Sequence, residues 1–248
     1  MKFTLIKNAK DSLEHAIEHF VSDSNNEGAD LKRVILDVAH ALELLLKERL
    51  IRIHPAFVYL KVDSYPNDDP HTVSTDLAIK RLIRLGGVEF SKDDIQTIKN
   101  CKKIRNKIEH FEFELDAKKN KLIVGKILSF IISFSKYELN LNWESEFVIN
   151  PNWERLKSLS SFWEEHSDRI IKQLEKDEIA TDYCPLCSAD TLDLEEAKCH
   201  LCGFIDLLIE CRMCGENFLE SSVVDPEIEL CSRCEYEDGY ASAHFEKY

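Results

Sequence analysis

Two groups of residues in this chain have the types and spacing to do chemistry. The first is a set of eight cysteines in four C-x-x-C pairs: Cys184/Cys187, Cys199/Cys202, Cys211/Cys214 and Cys231/Cys234. The spacers between pairs are 11, 8 and 16 residues. A C-x-x-C turn puts two thiolates on one side of a tight knuckle. Two knuckles then supply four sulfurs at about 2.3 Å, the tetrahedral set that zinc prefers. Four pairs make two complete sites with no sulfur left over. No secretory leader is read at the start of the chain, so metal binding is expected rather than disulfides. Sequential pairing is the expectation, with a cross-braced arrangement as the alternative. Gly203 and Gly215 directly follow two knuckles, where left-handed backbone is useful. Four thiolates leave no open position for water, so two structural Zn²⁺ ions are expected and no catalytic metal. Segments this small need their metal to fold.

The second group lies in Ile104–Phe111, IRNKIEHF, with Arg105, Asn106 and His110. The chain has 10 arginines and 9 histidines, so one fixed Arg–His spacing is expected about 0.4 times by chance. It occurs at Arg105/His110 and again at Arg49/His54, and Arg33/His40 is a looser match. Spacing alone therefore decides nothing, and context has to. His54 precedes Pro55 at a helix end. Arg105 instead lies among Lys99, Lys102, Lys103 and Lys107, with no acid between residues 99 and 107. Such a cluster attracts phosphate. It is also what a solvated helix face looks like. Asn106 and His110 are four apart and share a face. Arg105 is about 140° round the helix from His110, a gap a guanidinium can partly close.

These residues need elements to hold them. Seven glycines and six prolines in 248 residues point to long helices. Residues 9–22 have a helical apolar period at Leu13, Ile17 and Phe20, and residues 23–30 read as a turn. Leu31, Ile35, Val38, Leu42 and Leu45 form the stripe of a long helix that ends at His54-Pro55. Residues 65–70 read as a loop. Ser74 or Thr75 caps the next helix, which Gly86-Gly87 stops. Ser91 and Asp94 resemble a capping box for a helix running through Phe111. Residues 121–141 read as a helix, with a short strand at LIVG as the alternative, and 152–176 as another. The expected fold class is mainly α, a bundle of five or six helices followed by a small zinc-ribbon region of short β-hairpins.

Charge marks the same division. Residues 177–248 hold 18 Asp+Glu against 4 Lys+Arg, which accounts for the whole net charge of −14. Residues 1–176 are neutral overall. The predicted domains are a helical one, 1–178, and an acidic double zinc ribbon, 179–248. Each tetrathiolate zinc unit adds −2, so the ribbons repel phosphate and suit a partner protein better than nucleic acid. An acidic face could also lie over a basic active site. The most apolar stretch, Ile127–Phe134, is too short to span a bilayer. The expectation is a cytoplasmic protein with no membrane contact. No Gly-rich phosphate loop, dinucleotide fingerprint or Ser-His-Asp set is present, which removes support for a kinase, dehydrogenase or hydrolase of those types.

The segment Arg105-Asn106-x-x-x-His110 resembles the Arg-polar-x-x-x-His motif of the HEPN superfamily of helical ribonucleases. Ala39–Leu50, AHALELLLKERL, is similar to that family's long second helix, with Glu43 where an acid often stands. The resemblance covers roughly residues 5–145. It implies a HEPN-like bundle and a homodimer in which two motifs face one cleft. It also implies metal-independent cleavage of RNA by 2′-hydroxyl attack, leaving a 2′,3′-cyclic phosphate, in a toxin or antiviral-defence role. His110 would be the general acid or base, imidazole being the side chain that titrates near neutrality. Arg105 would stabilise the pentacoordinate phosphate. Asn106 would orient His110 or the phosphate, and Glu43 would hold Arg105. The alternative reading of Glu43 is an exposed partner for Lys47 one turn on. The alternative function is a non-catalytic dimeric adaptor whose acidic ribbons bind a partner protein.

Overall fold

The computed structural model describes residues 4–22, 27–67, 71–143, 151–223 and 229–237. The chain divides into two compact units, Met1–His166 and Ser167–Tyr248. The division falls inside a helix, upstream of the 178/179 boundary read from charge.

The first unit is helical. Its elements are α1 (Leu5–Phe20), α2 (Glu27–Ile53), α3 (Thr75–Gly86), α4 (Lys92–His110), α5 (Ala117–Leu139), α6 (Pro151–Lys157) and the start of α7 (Ser160–Lys176). α1 begins four residues before its first clear apolar period, because Thr4 caps it: the Lys7 N–H donates to Thr4 Oγ1 at 3.2 Å. α2 also starts early, and residues 27–30 of the expected turn are its first turn. Residues 23–26 and 68–70 of the expected turn and loop lie outside the described residues. Ser74, not Thr75, caps α3, and Gly87 ends it at φ 65°. Residues 151–176 form two helices where the sequence predicts one over 152–176. They are separated at Ser158-Leu159, where the Ser158 hydroxyl donates to the Arg155 carbonyl at 2.7 Å and closes the turn. No described helix is long and apolar enough to cross a membrane.

α5 explains why its sequence was ambiguous. It carries Ile123, Val124, Ile127, Ile131 and Ile132, side chains that favour strands. Yet residues 127–135 are buried without a break, as in a helix apolar on every side at the centre of a bundle. LIVG is therefore helix. Gly125 lies where the backbone of α7 passes: a Cβ there would be 2.1 Å from the Ser161 carbonyl oxygen. Backbone cannot swing aside as a side chain can. Gly125→Ala is expected to destabilise the helical unit by about 3 kcal/mol. A shift of the denaturant midpoint measures this, and an unmoved midpoint would contradict the packing described.

The second unit holds short antiparallel strands, the zinc-ribbon-like region expected from sequence. β1 (Thr181–Tyr183), β2 (Asp190–Asp193) and β3 (Lys198–Cys199) form one sheet; β4 (Leu208–Glu210) and β5 (Asn217–Leu219) form another. Residues 232–237 are helical. Strands this short bury little apolar area, so the cysteine clusters must supply what a core does elsewhere.

Candidate functional site

The cysteines gather sequentially. Cys184, Cys187, Cys199 and Cys202 form one cluster, and Cys211, Cys214, Cys231 and Cys234 the other. Sulfur–sulfur distances are 3.6 Å for Cys184–Cys202, 3.8 Å for Cys187–Cys199 and 3.9 Å for Cys214–Cys231. Four thiolates with 2.3 Å bonds to a tetrahedral ion stand about 3.8 Å apart. The knuckles share one backbone device. The residue after the second cysteine donates its N–H to the carbonyl of the first: Ser188 to Cys184, Gly203 to Cys199, Gly215 to Cys211 and Glu235 to Cys231. Gly203 and Gly215 do so at φ 80° and 75°, and Ser188 at 58°. The Cys231 N–H also donates to Cys211 Sγ at 3.4 Å and lowers that thiol to about 6. Burial works against the Cys199 thiolate, but the Cys202 amide, the Thr191 hydroxyl and the Leu201 amide offset it and bring the thiol to about 7. His200, inside the second knuckle, meets Asp193 Oδ2 at 3.1 Å. Asp193 Oδ1 accepts from the N–H groups of Glu195 and Glu196, which fixes the β2–β3 turn.

The motif of the helical unit lies on α4. Ser91 and Asp94 complete the capping box expected of them. Ile98, Cys101 and Ile108 bury one face, which leaves the lysines of residues 99–107 pointing outward. Burial pushes the Cys101 thiol up to about 12, partly countered by the nearby Arg105, so it is an inert core residue.

α3 and α4 border an open cleft of about 810 Å³. Its apolar lining comes from Ile79, Ile83, Ile95 and Phe111. Its polar lining includes Asn106 and the lysines 80, 99, 102, 103 and 107. Lys102 is bonded to Asp76 of α3. Phe111 is 71% exposed. Arg105 faces the other side of α4, into a smaller cleft of about 320 Å³ that Glu43 and Thr72 also line. His110 is the last residue of α4, with a side chain 67% exposed. The motif therefore fans round the helix end, and one residue joins its halves. Glu109 Oε2 is 2.8 Å from Arg105 Nε and 3.9 Å from His110 Nε2. Asn106 Oδ1 is 3.5 Å from Arg105 Nη1.

The carboxylate on Arg105 is thus Glu109 and not Glu43. Glu43 Oε1 accepts from Lys47 Nζ at 2.6 Å, and Lys47 also donates to Thr72 Oγ1. Each acid is taken by the base one helical turn away. Glu109 was not singled out in the sequence, although its i+4 relation to Arg105 was there to be read. Lys80 was missed because only the packing of α3 and α4 against α2 brings it to the cleft.

The arginines of the competing Arg–His pairs, and His54, have other partners. Arg49 Nε donates to Glu138 at 2.9 Å, and His54 Nδ1 accepts from the Ala56 N–H. Arg33 is 3.6 Å from Asp30. Trp143 and Trp153 are core residues. Comparison with protein-family models, curated proteins and solved structures finds no match to this chain.

Proposed function

We propose that the helical unit is a metal-independent endoribonuclease of the HEPN type, acting as a homodimer in the cytoplasm in a toxin or antiviral-defence role. One observation supports this above the rest. Arg105 and His110 both reach solvent and share the Glu109 carboxylate, while Asn106 of the same motif lines a cleft with five lysines. Arg49/His54, with the same spacing, is held apart: Arg49 Nε donates to Glu138 and His54 Nδ1 accepts from the Ala56 N–H.

The chemistry follows from the residue types. A phosphodiester seated at the end of α4 competes with Glu109 for the Arg105 guanidinium. The RNA 2′-hydroxyl is the nucleophile: O2′ bonds to phosphorus and the P–O5′ bond breaks. One imidazole takes the 2′ proton and a second, from the partner protomer's copy of the motif, protonates O5′. Arg105 balances charge on the equatorial oxygens. Glu109 Oε2 also stands 3.9 Å from His110 Nε2. The products are a 2′,3′-cyclic phosphate and a 5′-hydroxyl.

Both cysteine clusters hold structural Zn²⁺ in this reading, supported by sulfur spacings that match tetrathiolate geometry. The acidic ribbons bind a partner protein. The exposed apolar side chains of Leu186, Ile205, Leu207 and Met213 on a strongly acidic region support that role.

The test is incubation of end-labelled RNA with purified protein in the presence of EDTA. Cleavage with cyclic-phosphate ends supports the enzyme. Intact RNA with a stable dimer points to the adaptor. Glu109→Gln tests the carboxylate exchange. It frees Arg105 from an exposed ion pair, and RNA affinity is expected to rise about two- to fivefold. Fluorescence anisotropy reads this, and weaker binding would reverse the assignment of Glu109.

A further inference from the structure

α1 and α2 bring together four side chains that the ribonuclease reading does not use. His15 Nδ1 lies 2.6 Å from Asp37 Oδ2. His19 Nδ1 lies 2.9 Å from Asp30 Oδ1, which Arg33 Nη1 approaches at 3.6 Å. The two imidazoles stand edge to face, and their Nε2 atoms are 3.1 Å apart.

The hydrogen-bond inventory makes this arrangement specific. An ionised carboxylate can only accept. Each Nδ1 must therefore carry its ring's proton and donate it to the aspartate. In two neutral rings both Nε2 atoms are then bare lone pairs, facing each other at hydrogen-bond distance. Two acceptors do not hold that separation unless something positive stands between them. A carboxylate on Nδ1 with a free Nε2 is also the arrangement that orients a histidine for metal and raises its basicity.

We infer that His15 and His19 form a two-imidazole site for a late first-row divalent ion of the Ni²⁺ or Cu²⁺ kind, with Asp37 and Asp30 orienting the ligands. The separation narrows the choice. Nitrogens 3.1 Å apart, each about 2.05 Å from one ion, subtend about 98° there, closer to the cis positions of an octahedral or square-planar ion than to a tetrahedron. Spacing of i and i+4 on α1 puts both ligands on one face. His15 is 50% exposed, which leaves the remaining positions to water. The ion would tie α1 to α2 through the two aspartates.

The test uses untagged, zinc-loaded full-length protein and Ni²⁺ as the probe. Equilibrium dialysis counts bound nickel, while zinc release is followed to exclude exchange into the cysteine clusters. The expected result is one Ni²⁺ per chain, with NMR broadening of the His15 and His19 ring signals and no zinc released. Because His15 is half exposed, His15→Gln should leave the fold intact. It should weaken binding at least tenfold. Asp37→Asn keeps both ligands and should weaken binding about 10- to 100-fold. Equal nickel affinity in wild type and His15→Gln would overturn the site. So would a stable Nε2–H bridge between the rings that nickel does not disturb, which would make the occupant a shared proton.

Discussion

RNA cleavage by His110→Ala is expected to fall about 10²- to 10⁴-fold, the usual contribution of a positioned proton-transfer group. Arg105→Ala should lose about 10²- to 10³-fold, as when one donor to a developing oxyanion is removed. Neither change should disturb the fold. Both side chains are largely or partly exposed, and their main neighbour is Glu109. Arg49→Ala and His54→Ala serve as controls, because they carry the same spacing without the setting. These two should change stability, through Glu138 and the Ala56 amide, and leave cleavage per folded molecule unaltered. The measurement is single-turnover cleavage of labelled RNA beside a mass determination in solution. If Arg105→Ala and His110→Ala cut RNA as fast as the parent, the catalytic assignment fails, whatever the dimer does.

Loss of one cysteine should have an even larger effect, confined to one place. Structural tetrathiolate zinc contributes about 10–16 kcal/mol to the folding of small metal modules. On the zinc reading, strands only two to four residues long lose what holds them together. Cys211→Ser should lower bound zinc from two ions per chain to one, and expose the β4–β5 amides to hydrogen exchange. The first cluster shares no cysteine with the second and should keep its ion. α1 to α5 should keep their protection. Native mass spectrometry gives the ion count, and exchange mapped by residue gives the extent of the damage. Two zincs retained in Cys211→Ser would show that the second cluster is not a metal centre.

Local signals were legible and convergent ones were not. Ser91 and Asp94 announce the start of α4 because a capping box needs only residues three apart. Gly87 ends α3 for the same reason: a single left-handed residue does the work. The cysteine pairs were readable because metal geometry restricts their spacing. α5 was harder. Its β-branched residues argue for strand until burial on every side is known, and burial comes from the other helices. The cleft lysine from α3 and the aspartates on His15 and His19 depend on packing between helices, and no single-helix period reveals them. The early starts of α1 and α2 have a different cause, since polar first turns carry no apolar rhythm.

Consecutive knuckles close each cluster, and the two ligand sets do not interleave along the chain. The acidic segment is therefore two beads in sequence and not a braid, joined in one compact unit where the Ser221 hydroxyl donates to Asp206. One bead's ligands can be traded without taking a ligand from its neighbour. A lineage could vary the outer bead to suit a new binding partner while the inner one, with its β1–β3 sheet, stays as it is.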